Sequence, residues 1–375
     1  MKRRLNIRLI FLLAILVGLA TREVALELRP SFLRPGLHLM AYVGNTADGT
    51  LTVVDLVKLS PFATLSVGQG PSGVRAHPTR NEIWGLSSAG GYAWVLDVRT
   101  NQIVARIPVG AAPYALDFSP DGRRAYVAAS GANAVVAIDC ASHTPIAHGR
   151  AGRRPWIARM TPNGKTVVVS NRDDGTVSLL DADSLASLAT ISVAPQPEQV
   201  TVLPDSSKAF VSSGASNQVS VVDLRQKMLL ANLSLGGTPD ALILKPDGGE
   251  LYIPVSNAHG LLVVNTTTNE VGDFLILGMS PSAATLTPDA ATLFVSDSGA
   301  GHIVPVAIQV RQVQRPITVG QEPRTAMLTP GGDMLLVVDA TSNDLAVIRA
   351  NTPTPRLVTL IPVGQRPRDL AIKVF

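Results

Sequence analysis

Eight residues stand directly after a recurring proline: Ser72, Tyr114, Trp156, Glu198, Asp240, Ser282, Arg324 and Arg368. The order is chemically uneven, with two aromatics, then two acids, then two arginines. Arg366 precedes the last proline, and Arg153 and Arg154 lie beside Trp156. Carboxylates opposite forked guanidiniums make a polar pocket for a zwitterionic or anionic ligand. The plainer reading is a wet surface of solvated charges, where an ion pair is worth under about 1 kcal/mol. The candidate ligand-binding set is Tyr114, Arg153, Arg154, Trp156, Glu198, Asp240, Arg324, Arg366 and Arg368. No residue is given a catalytic or metal-binding role, and no cofactor is expected.

The other chemical signals are weaker. Gly68-Gln69-Gly70-Pro71-Ser72-Gly73 spells G-x-G-x-x-G, but dinucleotide binding needs a strand before it and a helix after it. Here the string contains a repeated proline and leads into a strand, so it reads as a turn. The six histidines, His38, His77, His143, His148, His259 and His302, show no i, i+4 pair and no H-E-x-x-H. Cys140 follows a strand with no histidine matched to it and reads as an inert thiol. One cysteine excludes an intrachain disulfide and a cysteine-based zinc cluster.

The elements that must carry these residues repeat. A G-x-x-P element recurs at Gly68–Pro71, Gly110–Pro113, Gly152–Pro155, Gly236–Pro239, Gly278–Pro281, Gly320–Pro323 and Gly364–Pro367, with Ala194 replacing the glycine before Pro197. The proline spacing is 42 six times and then 44. Strand starts recur every 42 residues at Tyr42, Trp84, Tyr126, Val168, Phe210, Tyr252, Phe294 and Leu336. An acid or amide recurs at Asp55, Asp97, Asp139, Asp181, Asp223 and Asn265, the slot passing to Ala307 and Arg349 in the last units.

Each unit reads as four short strands joined by turns such as Pro120-Asp121-Gly122 and Ser130-Gly131-Ala132-Asn133. Runs such as VVAI at 135–138 and LLVVN at 261–265 lack polar alternation, so they must be covered on both faces. A four-stranded unit of this length, stacked on like units, predicts an all-β fold: a β-propeller. The repeat opens at a second strand (41–44) and closes on a lone first strand (368–374), so counting predicts eight blades, with seven as the alternative. The C-terminal strand is expected to pair with the N-terminal strands and close the ring. In such a ring the first strand of each blade lines the central channel, which places the slot after the proline at the channel mouth.

Residues 1–8 are basic and residues 9–20 form an apolar run of 12, too short to span a bilayer as a helix. We read 1–20 as a signal peptide with Gly18-Leu19-Ala20 at the cleavage site, 21–38 as a linker and 39–375 as the propeller domain. The expected location is extracytoplasmic, periplasmic or secreted, with membrane contact only through the N-terminal segment if it stays uncleaved. The net charge of +4 resides in Lys2, Arg3, Arg4 and Arg8; without them bases and acids balance at 28 each. That balance and the 4% aromatic content argue against nucleic-acid binding.

Tyr42-Val43-Gly44-Asn45, with echoes at Tyr126-Val127 and Val169-Ser170-Asn171, resembles the motif of the YVTN family of β-propeller repeats. The run from Gly110–Pro113 through Pro120-Asp121-Gly122 to Val136-Ala137-Ile138-Asp139 resembles it too, and the likeness spans roughly residues 39–375. The resemblance implies an exported bacterial or archaeal propeller. Related propellers include lactonases and haem- or quinone-dependent oxidoreductases, and no motif for those activities matches here residue by residue. The expected role is a monomeric binding or scaffold module for a protein, a peptide or a small polar ligand. The alternatives are an enzyme, either a lactonase-like hydrolase holding a divalent cation on Glu198 and Asp240 or a cofactor-dependent oxidoreductase, and single-stranded nucleic-acid binding at Trp156, Arg153 and Arg154.

Overall fold

The structure, a computed structural model, describes residues 37–375. The signal peptide at 1–20 and nearly all of the linker lie outside the described residues. Among those described, no helix is long and apolar enough to cross a membrane.

The local sequence dictates short strands. Apolar β-branched runs such as Thr166–Asn171 (TVVVSN) and Thr176–Asp181 (TVSLLD) have two covered faces, and their central residues are all buried. Turns stop them at the repeated positions. Asp139 Oδ1 accepts from the backbone N–H groups of Ala141 and Ser142 at 3.1 and 2.7 Å, and Asn265 Oδ1 does the same for Thr267 and Thr268 at 2.9 and 3.1 Å. At 130–133 the turn is a single 3-10 turn, Ser130–Ala132, closed by Asn133 in the left-handed region at φ 53°.

Eight sheets result. Blade 1 comprises Pro71–Ala76, Glu82–Ser87, Tyr92–Asp97 and Gln102–Pro108, in that order from the inside outward. Blades 2 to 7 begin in turn near Pro113, Pro155, Pro197, Pro239, Pro281 and Pro323. Blade 8 is composite: Leu39–Asn45, Thr50–Asp55 and Ser60–Ser66 are completed inside by Pro367–Val374. That last strand runs antiparallel to the first, with Leu39 opposite Val374 and Tyr42 opposite Ala371. The expected closure is therefore present, and the count is eight rather than seven.

The core lies between blades. Leu336 and Val338 of blade 7 pack with Ala41 and Val43 of blade 8, and Tyr42 of blade 8 packs with Trp94 of blade 1. Trp84 of blade 1 packs with Val127 of blade 2, and equivalent clusters follow at each remaining interface. Eight apolar clusters on eight interfaces make a ring without a free blade face. Each fully buried Leu, Val or Phe contributes roughly 1.5–3 kcal/mol relative to exposure.

Two blades depart from the four-strand pattern, and proline explains both. In blade 5 the inner strand shrinks to Ile243–Leu244. Its neighbour carries Pro254, whose carbonyl accepts from Asp240 N–H at 3.1 Å but which has no N–H to return. In blade 6 the outer strand splits into Gln312–Val313 and Ile317–Thr318 opposite Pro305, which likewise accepts from Gln314 N–H at 2.8 Å without donating.

Candidate functional site

The loop that leads into each inner strand ends on the repeated proline. In blades 1, 2, 3, 4, 7 and 8 the preceding residue, Gly70, Ala112, Arg154, Gln196, Glu322 or Arg366, has positive φ. The side chains and backbone of neighbouring hairpins hold that geometry. Asn133 Oδ1 accepts from Arg154 N–H at 2.9 Å, and Asn343 Oδ1 accepts from Arg366 N–H at 2.8 Å. Past the proline the register slips by one residue against the second strand, as between Pro155 and Ala158. Such a bulge re-aims side chains, so in blades 1, 2, 6, 7 and 8 both residues after the proline reach the central cavity, whereas in blades 3 and 4 only the second does, Ile157 and Gln199.

A cavity of about 270 Å³ occupies the middle of the ring. Of the sequence candidates, Tyr114, Asp240, Arg324 and Arg368 line it. Arg368 Nη2 donates to Tyr114 Oη at 3.2 Å, and its guanidinium lies 6.0 Å from the Tyr114 ring. Burial raises the Tyr114 phenol above its ordinary range, and Arg368 opposes that shift. Burial also raises Asp240, whose Oδ2 accepts from Ser256 N–H at 3.2 Å; Arg324 pulls it back through space. Arg324 Nε donates to Glu322 Oε1 at 3.0 Å.

The other candidates do not line the cavity. Trp156 backs it: its ring stacks on Tyr114 at a centroid distance of 3.7 Å, with the guanidiniums of Arg172 and Arg154 over it at 5.2 and 5.6 Å. Glu198 is paired with Arg172 at 2.9 Å. Arg153 lies outside in the loop before Pro155, where its Nε meets Asp174 Oδ1 of the blade 3 hairpin at 2.5 Å. Arg154 sits 3.7 Å from Asp173, and the backbone carbonyl of Arg366 accepts from Thr46 N–H at 3.0 Å.

Sequence reasoning missed Arg172, because it searched one slot and Arg172 lies on a hairpin between the second and third strands. It also missed a deeper layer. Arg75, Asp117 and Arg159 occupy one repeat position in three successive blades, 42 residues apart, a signal visible in the register. Arg159 Nη1 lies 3.4 Å from Asp117 Oδ2, which also accepts from Met160 N–H at 3.0 Å. Asp369 Oδ2 accepts from Gly73 N–H at 2.8 Å. Arg75 reaches the cavity; enclosure by the ring and then Arg159 lower its pKa, while Asp369 and Asp117 act against that. Its surface is open to the channel although protein surrounds it on all sides.

Among the described residues no three His, Cys, Asp or Glu side chains converge to hold a metal ion. No His, Cys or Met lines the cavity, so it presents no imidazole, thiolate or thioether to a haem iron.

Fold and cavity together define an eight-bladed β-propeller with a polar channel. A model of the choice-of-anchor I domain matches residues 75–241, and a model of the seven-bladed lactonase propeller matches residues 263–368. No curated protein matches the chain. Among solved structures, a dihydro-heme d1 dehydrogenase, NirN, in complex with DHE is 17% identical with a TM-score of 0.75, over 91% of this chain and 76% of that one. The hydrazine synthase of Kuenenia stuttgartiensis is 17% identical with a TM-score of 0.61, over 75% of this chain and 96% of that one. At such identity the likeness is one of fold, and propellers host unrelated functions.

Proposed function

We propose that this protein is an exported propeller of the YVTN type that binds a small anionic or zwitterionic group, free or at the end of a peptide, in its channel mouth. The observation that carries the reading is the convergence of Tyr114, Asp240, Arg324 and Arg368 on one cavity from four different blades. Residues far apart in sequence meet there, Tyr114, Arg324 and Arg368 on strands and Asp240 just before the short strand of blade 5, which suits recognition. Trp156 is already stacked by Tyr114, so its ring serves the cavity wall, and this speaks against a platform for nucleic-acid bases.

The test has two arms. Fractionation of cells with N-terminal sequencing of the mature chain checks export: protein confined to the cytoplasm with residues 1–20 intact overturns that part. Titration of purified protein with charged peptides and dicarboxylates, followed by intrinsic fluorescence, checks the mouth. Trp84 and Trp94 are fully buried, so a change on binding should report chiefly Trp156, and should vanish in Trp156→Phe.

A hydrolase is the second reading, favoured by the lactonase match at 263–368. That segment contributes Ser282, Arg324 and Arg368 to the cavity but neither of the two carboxylates first considered for a cation. Glu198 is committed to Arg172. Hydrolysis of lactones that is lost in Asp240→Asn, with metal found in the purified protein, would replace the binding reading.

A further inference from the structure

Arg75 differs from every other arginine of the channel. Arg159 is neutralised by Asp117, Arg324 by Glu322, and Arg368 donates to Tyr114. Among the described residues the Arg75 guanidinium has no ion pair within 4 Å and donates no side-chain hydrogen bond, yet it lines the cavity. The two acids that act on it through space are both engaged elsewhere, Asp117 by Arg159 and Met160 N–H, Asp369 by Gly73 N–H. Arg75 therefore presents five N–H donors with no side-chain partner to the interior of the ring, its charge offset only through space, chiefly by Asp369, which lines the same cavity.

Its depth matters. Tyr114, Arg324 and Arg368 stand one residue after their prolines, and Arg75 stands four after Pro71. The bulge between Ser72 and Arg75 uses up one residue, so at roughly 3.3 Å per strand residue Arg75 lies about 7 Å further down the channel wall. A ligand resting on Tyr114 and Arg368 at the mouth can send one group down to Arg75.

We propose that Arg75 is the floor of an anion subsite, forked onto a carboxylate or phosphate group of the ligand that enters at the mouth. The inference rests on the mouth reading above and adds the chemical class of the buried end. An unpaired cation in a partly desolvated interior costs free energy until an anion arrives, and a planar guanidinium matches both anions with two parallel hydrogen bonds. Arg75→Lys keeps the charge and loses the fork.

The experiment uses the whole mature protein and three probes: succinate, inorganic phosphate, and sodium chloride at matched ionic strength. Melting temperature is read for wild type, Arg75→Gln, Arg75→Lys and Arg368→Gln. Expected is a rise in wild type with succinate or phosphate beyond that with chloride, and at least tenfold weaker apparent affinity in Arg75→Gln. In chloride alone Arg75→Lys, which keeps the charge beside Asp369 and loses the fork, should melt with wild type yet lose the oxyanion-specific rise; an arginine whose role is merely structural would leave that rise intact. Which oxyanion acts tells a carboxylate ligand from a phosphorylated one. Wild-type affinity in Arg75→Gln with loss in Arg368→Gln overturns the subsite and leaves the mouth reading standing. Absence of any oxyanion-specific shift in wild type overturns both.

Discussion

Asp339 and Asp344 face each other across the second and third strands of blade 7, and Oδ1 of each is buried without a donor. The equivalent pair in blade 3 is Asn171 and Thr176, where Asn171 Nδ2 donates to Thr176 Oγ1 at 3.0 Å. In blade 3 Asn171 Oδ1 accepts from Gly152 N–H, and in blade 7 Asp339 Oδ2 accepts from Gly320 N–H, each at 3.0 Å. Asp339 thus occupies a donor's place. Burial, then the carboxyl of Asp344 facing it, push its carboxyl up to about 9, so it holds a proton at neutral pH.

A pH dependence follows. An unfolded aspartate titrates near about 3.9, well below the folded value, so between roughly pH 4 and pH 9 the folded state binds the extra proton. Stability attributable to this pair is full at the acid end of that window and declines as pH rises through it. Asp339→Asn restores the amide donor of blade 3 and should abolish that decline. Urea midpoints at pH 5, 7 and 9 check it: parallel curves for variant and wild type would refute the shared proton.

Closure is the second prediction. Removing residues 366–375 takes away the inner strand of blade 8, including buried Leu370 and Ala371, and bares the edge of Leu39–Asn45. The truncated chain should aggregate or melt far below the full chain. Leu370→Ala alone should cost about 2–5 kcal/mol, measured by chemical unfolding.

Tyr114 and Trp156 make a third test. Their rings stack at an interplanar angle of 28°, and aromatic pairs of this kind add roughly 0.5–1.5 kcal/mol beyond burial. A double-mutant cycle of Tyr114→Leu and Trp156→Leu should return a coupling energy of that size. Independent, additive losses would mean that the stacking contributes nothing.

Cys140 supplies the fourth. Its side chain is 1% exposed, and burial, with Glu82 and Asp139 adding to it, pushes the thiol up to about 12. Native protein at pH 8 should resist iodoacetamide and react fully in denaturant, read by mass spectrometry. Fast native labelling would contradict the packing between blades 1 and 2.

The blade count, the composite blade and the Asp-supported turns were legible because a period of 42 repeats the same local physics eight times. Each turn is settled by residues two or three apart, as Asp139 and Ser142 show. The interruptions were less visible. Pro254 and Pro305 stand plainly in the sequence, but their effect depends on which neighbour their missing N–H faces.

Register and composition alone determined a closed ring of apolar slabs and put chemically varied residues after each lead-in proline. Only the assembled ring decided which of them share a space. Glu198 turned to Arg172 on a hairpin, Arg153 turned outward to Asp174, and Arg75 was left facing the cavity without a partner. Charges choose partners by distance through space, and a repeat fixes distances within a unit while the closure of the ring sets those between units.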